Sequence, residues 1–255
     1  MIEFSHNVPE GWGFCPSFPI YPLCIVLAFA VGFALYRHNT RKTERNPEHL
    51  IPILFAAFFG GLIGAKLPLI LMNLQYGLHW QTLLAGRTIV GGLLGGTIGV
   101  LLIKKKLGIQ ERYGNLLAPP IALGMATGRI GCFFHGCCFG TPTHLPWGID
   151  FGDGISRHPT QIYEMLFCFF AFILLQRARH TAPPGSLLTR FFLAYFLFRF
   201  LEEFFRPHPT LAGLTPFQWI CIAGTFTLLA KAIFLKLPRK PPCKKKTAPD
   251  GEEIF

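Results

Sequence analysis

Seven apolar runs, each about as long as a bilayer is thick, take up most of this chain. A helix crossing the hydrocarbon core needs roughly 17 to 25 mainly apolar residues, and such runs lie near 19–36, 51–75, 88–103, 115–134, 160–176, 186–204 and 214–235. In lipid every backbone N–H and C=O must be satisfied within the chain, so these runs fold as helices. With 51% hydrophobic residues and 27 Phe among 255, the chain holds more apolar surface than a soluble domain needs for its core. The expected fold is therefore all-α: a polytopic membrane protein with seven transmembrane helices.

The net charge of +11 does not point to nucleic acid. A polynucleotide binder gathers its basic residues on one face, whereas here they fall in the gaps between apolar runs. Arg37, Arg41, Lys42 and Arg45 follow the first run; Lys104, Lys105, Lys106 and Arg112 the third; Arg177 and Arg179 the fifth. Alternate loops are nearly bare apart from Arg87, Arg157 and Arg206. The asymmetry puts the N-terminus outside and the C-terminus in the cytoplasm. The first 18 residues have no basic stretch ahead of an apolar core, so the first helix is expected to stay in the membrane. One domain is expected over residues 1–237, and 238–255 reads as a basic, disordered cytoplasmic tail.

Within the runs, charge is the exception that signals use. Arg129 and Arg199 lie a turn or more inside predicted spans, at the same outer depth on different helices. A guanidinium there costs roughly 2.5–3.5 kcal/mol on insertion scales unless an anion, a carboxylate or water meets it. An i,i+4 pair with Glu203 accounts for Arg199 alone. Arg157 and Arg206, at helix ends, read first as headgroup anchors. Lys66 in the second run either pairs with a carboxylate or reaches the interface, and His158 before Pro159 is a helix-start residue or an acid/base group. Two arginines facing the outer leaflet suit a phosphate ester or phospholipid headgroup, with Glu203, Glu202 or His158 moving a proton.

Four stretches, Gly91-Gly-Leu-Leu-Gly-Gly96, Gly128-Arg-Ile-Gly131, His158-Pro-Thr-Gln-Ile-Tyr-Glu164 and Phe198-Arg-Phe-Leu-Glu-Glu-Phe-Phe-Arg206, resemble in content and order the signature blocks of bacterial prolipoprotein diacylglyceryl transferases. The resemblance implies an inner-membrane enzyme that moves the diacylglyceryl group of phosphatidylglycerol onto the lipobox cysteine of a prolipoprotein, or onto another thiol acceptor, and releases glycerol phosphate. It implies catalytic roles for Arg129, Arg199 and Glu203, and His158 is expected to assist them. It implies substrate binding by Arg129, Arg199, Lys66 and Tyr21, and Gly131, Gly140, Arg206 and His135 of this chain are expected to join them. The lipid bilayer is a partner, and no cofactor is expected.

Two departures fall on the acceptor side. Relatives often carry His before the third-helix glycine pair, where this chain has Val90. Where relatives usually continue Asn-Phe-x-Asn-Gly-Glu, this chain reads Cys132-Phe-Phe-His135-Gly-Cys137-Cys138. These cysteines are open to three readings: packing, a disulfide or redox role with Cys15 as a further candidate, and metal binding or covalent catalysis. Their spacing fits no common zinc framework, and no metal is assigned. An outward-facing thiol or metal protein built on this cluster, or a non-catalytic lipid-binding protein, are the alternative functions.

Overall fold

The computed structural model describes residues 20–41, 49–73, 88–207 and 212–236. Cys15, Lys42, Arg45, Arg87 and the tail from 238 lie outside the described residues. Seven long helices occur among those described: α1 (Ile20–Thr40), α2 (Leu50–Asn73), α3 (Ile89–Lys106), α4 (Gly114–Phe134), α5 (Thr160–Ala178), α6 (Ser186–Glu202) and α7 (Pro216–Lys236). Each covers one of the expected apolar runs to within a few residues. Four are long and apolar enough to cross a membrane: α1, Ile51–Pro68 of α2, α4 and α5. Of the rest, α3 ends on Lys104, Lys105 and Lys106, and α6 has 17 residues and carries Arg190, Arg199 and Glu202. Large apolar side chains point outward along the helices, with Phe226 73% and Ile63 69% exposed. Such faces suit contact with lipid.

The helix α4 is the hub, packing against α1, α5 and α6, while α2 pairs with α3 and α6 with α7. The α2–α3 pair is a close-approach interface of the small-xxx-small kind. A Cβ built on Gly95 would come 2.3 Å from the Gly60 carbonyl oxygen, and one on Gly64 2.4 Å from that of Gly91. A Cβ on Gly92 would sit 3.5 Å from Gly61 O, an ordinary contact. Gly95→Ala is therefore expected to destabilise the protein by about 1–3 kcal/mol, whereas Gly92→Ala should be neutral or stabilising through helix propensity. Thermal melting of the two variants in detergent checks this, and equal melting would refute the close-packed interface.

The long loop between α4 and α5 carries the two short strands of this otherwise helical structure among the described residues. It holds a short antiparallel hairpin, β1 (Ile149–Asp150) with β2 (Ser156–Arg157). The Asp150 carboxylate accepts the backbone N–H groups of Gly152, Asp153 and Gly154 and so shapes the turn. Arg157 pairs with Asp153 at 2.5 Å and holds that carboxyl below its ordinary pKa. The loop is clamped over the helix ends: Gly140 N donates to His158 O at 2.8 Å, and Thr141 N to Phe205 O at 2.7 Å.

Candidate active site

Four chain segments meet at one end of the bundle, and each brings charge. The last turns of α4 carry Arg129, the start of α5 carries Glu164, and the end of α6 carries Arg199 and Glu202. A 3-10 turn, Glu203–Phe205, then presents Glu203 and leads into Arg206. All six side chains are buried. Arg129 Nη2 lies 2.5 Å from Glu164 Oε2. Arg199 Nη1 lies 2.9 Å from Glu202 Oε2 and 2.7 Å from Glu203 Oε2. Arg206 Nη2 bridges toward Glu202 at 3.5 Å and Glu164 at 3.7 Å. Three guanidiniums thus face three carboxylates, and the formal charge of the cluster cancels. That balance is what permits such groups to leave water.

Outer partners hold the carboxylates. Tyr195, fully buried on α6, donates its hydroxyl to Glu164 Oε1 at 2.7 Å. Thr215 Oγ1 donates to Glu203 Oε1 at 3.0 Å. A hydrogen bond to a charged buried acceptor contributes about 1.5–3 kcal/mol, so Tyr195→Phe should lower stability by that amount in a detergent melt. A loss under ~0.5 kcal/mol would show that the hydroxyl adds nothing to the network.

One wall of the network is open to apolar space. A cavity of about 290 Å³ is lined by Arg129, Ile130, Phe133, Phe134, Gln161, Ile162 and Met165. Arg129 Nε and Arg206 Nε are buried, and each has no hydrogen-bond partner among the described residues. Buried donors are rarely left so without a ligand or water to meet. An apolar pocket with a buried guanidinium behind it suits an amphiphile that presents an anionic oxygen.

Of the residues singled out by sequence, Arg129, Arg199, Glu203 and Arg206 come together. The anchor reading of Arg206 does not hold: its side chain turns inward to Glu202 and Glu164, because two carboxylates offer it more than the interface does. Tyr21 and His135 face each other with ring centroids 5.1 Å apart, and Gly131 lies close by, since a Cβ there would stand 2.7 Å from Cys24 Cβ and 3.7 Å from Tyr21 Cδ2. A Cβ on Gly140 would come 2.6 Å from Phe205 O, so the loop clamp alone demands glycine there. The His158 ring meets Tyr163 and Phe205, with Nδ1 3.2 Å from the Tyr163 hydroxyl. Lys66 is half-buried on α2, the helix that pairs with α3. Val90 is buried in the apolar core that includes Ala118, Ala122 and Ala126. Glu164, Tyr195 and Gln161 were not singled out, although Glu164 and Gln161 both stand in the His158–Glu164 block. The signal available was a carboxylate one turn inside an apolar helix.

The prolipoprotein diacylglyceryl transferase family model matches residues 15–234. Among curated proteins, the phosphatidylglycerol–prolipoprotein diacylglyceryl transferase of Clostridium tetani is 31% identical over 233 residues, covering 86% of this chain and 92% of its own. That of Bordetella parapertussis is 32% identical, covering 87% and 91%, and that of Geobacter sulfurreducens is 32% identical, covering 83% and 84%.

Proposed function

The chain belongs to the prolipoprotein diacylglyceryl transferase family, and from that premise we propose that it transfers the diacylglyceryl group of phosphatidylglycerol to the cysteine thiol of a prolipoprotein. The observation that carries the site assignment is Arg129: it lines an apolar pocket while keeping a buried, unpartnered Nε donor. The acyl chains of the lipid would lie against Phe133, Phe134 and Met165, and the headgroup phosphate would meet Arg129. Attack by the acceptor sulfur on the glyceryl carbon bonded to phosphate breaks that C–O bond, and the electron pair leaves on glycerol phosphate. Donors already aimed at the departing oxygen stabilise its growing charge.

The remaining residues take supporting roles in this proposal. Arg206 offers a second free Nε to the phosphate, and Arg199 adds positive field while holding Glu202 and Glu203. Glu203 acts as a positioning carboxylate, and His158, hydrogen-bonded near Trp147 through Tyr163, serves the entry of the acceptor. Tyr21, His135, Gly131 and Gly140 shape the same face, and Lys66 takes part in lipid binding from α2. All seven helices span the inner membrane of a bacterium, with the N-terminus outside, the domain ending near residue 237 and the basic tail in the cytoplasm. The charge pattern between the runs supports that orientation.

The test is reconstitution of the full chain with phosphatidylglycerol and a lipobox peptide. The expected result is peptide carrying one diacylglyceryl group and an equal amount of glycerol phosphate. Lipid binding without either product would leave a non-catalytic lipid-binding protein.

A further inference from the structure

A cluster of three thiols lies beside Arg129. The Sγ atoms of Cys132, Cys137 and Cys138 all lie within 4.8 Å of one another, and none is in a disulfide. Zinc bonded to sulfur at about 2.3 Å in tetrahedral geometry needs ligand sulfurs about 3.8 Å apart. A small contraction of this triangle reaches that.

The backbone holds the three thiols at one point. Helix α4 ends at Phe134, and left-handed residues at Gly136 (φ 67°) and Cys138 (φ 66°) curl the chain back toward Cys132. Gln161 Nε2 and Thr160 Oγ1 then pin the carbonyls of Cys137 and Cys138, each at 2.6 Å. A non-glycine residue held at positive φ is a strained position, and here it is what turns the third thiol into the group.

We propose that Cys132, Cys137 and Cys138 bind one zinc ion as thiolates, and that its fourth position takes the thiol of the acceptor cysteine. This rests on the transfer reaction proposed above. Three ligands and one open position is the arrangement of zinc sites that act on a substrate, and among the described residues no fourth Cys, His, Asp or Glu atom joins the group. Charge agrees: Zn²⁺ with three thiolates carries −1, and the Arg129 guanidinium stands 4.0 Å from Cys132 Sγ. A thiol that coordinates zinc gives up its proton. Activation of the acceptor therefore needs no imidazole at position 90, where this chain has a buried valine.

The step balances. The acceptor S–H loses its proton on coordination, the C–S bond forms as the glyceryl C–O bond breaks, and the electron pair leaves with the phosphate oxygen. The proton ends on glycerol phosphate or in water, and zinc is unchanged. Arg129, whose guanidinium offsets the zinc centre, also lines the pocket proposed for the lipid, so nucleophile and leaving group share one cation.

The experiment uses the full chain purified in detergent under reducing conditions. Metal analysis should find about one zinc per chain, falling to none in the triple variant Cys132→Ser, Cys137→Ser, Cys138→Ser. Replacing zinc by Co(II) in the unmodified chain should give sulfur-to-cobalt charge-transfer bands. A lipobox peptide should shift the visible Co(II) spectrum, while the same peptide with serine for cysteine should not. Absence of both zinc and cobalt bands overturns the proposal, as does isolation of the thiols as a disulfide. So does a triple-serine variant that transfers at the full rate, which would leave the proposed reaction standing. A Co(II) chain that responds to the cysteine peptide but transfers nothing supports the metal site and removes the proposed reaction.

Discussion

Arg129→Ala is expected to lower the rate of diacylglyceryl transfer by about 10²–10³-fold at saturating lipid, the loss seen when one preorganised donor to a developing oxyanion is removed. Arg129→Lys should recover only part of it, because an ammonium keeps the charge but loses the planar fork and the Nε donor. The expectation singles out Arg129 because it touches the apolar cavity. Arg199 does not line that pocket and is held by two carboxylates, Glu202 and Glu203, within 2.9 Å, so Arg199→Lys should shift the melting temperature more than the turnover. Transfer by a folded Arg129→Ala chain at within ~3-fold of the unmodified rate would remove the phosphate role from this residue. Loss of the guanidinium leaves Glu164 with Arg206 at 3.7 Å, so a melt must accompany the assay to show that the protein remains folded.

How much of this was legible beforehand follows from the kind of signal each feature leaves. Helices leave a long one: the expected run at 115–134 against the observed Gly114–Phe134 differs by a single residue. The i,i+4 relation of Arg199 to Glu203 is local, and it was found at 2.7 Å. Glu164 and Arg129 are 35 positions apart and on different helices, and no periodicity links them. Only packing of α4 on α5 brings them to 2.5 Å. Arg206 misled because a cation at the end of an apolar run usually reaches the headgroups, and what turned it inward was a pair of carboxylates supplied by two other turns. The convergence of Cys132 with Cys137 and Cys138 depends on positive φ at Gly136 and Cys138. Glycine hints at such a reversal; cysteine gives no hint of it.

Glu164→Ala should destabilise the protein by about 3–5 kcal/mol, the cost of removing one partner from a buried ion pair. Glu164 is the carboxylate on which the network turns: it meets Arg129 at 2.5 Å and Arg206 at 3.7 Å, and it takes the Tyr195 hydroxyl at 2.7 Å. Its loss changes a balanced cluster of three cations and three anions into one with a buried excess positive charge. Glu164→Gln keeps the shape and an acceptor for Tyr195 while removing the charge, so the difference between the two variants separates packing from electrostatics. If Glu164 acts only by neutralising Arg129, the double variant Glu164→Gln with Arg129→Gln should regain much of the stability lost by the first change. The same double variant should keep the loss of about 10²–10³-fold in transfer expected for Arg129→Ala, because the guanidinium beside the pocket is still missing. Melting curves and transfer assays on the three chains read the two effects separately, and a double variant no more stable than Glu164→Gln would show that the ion pair is not what stabilises this end of the bundle.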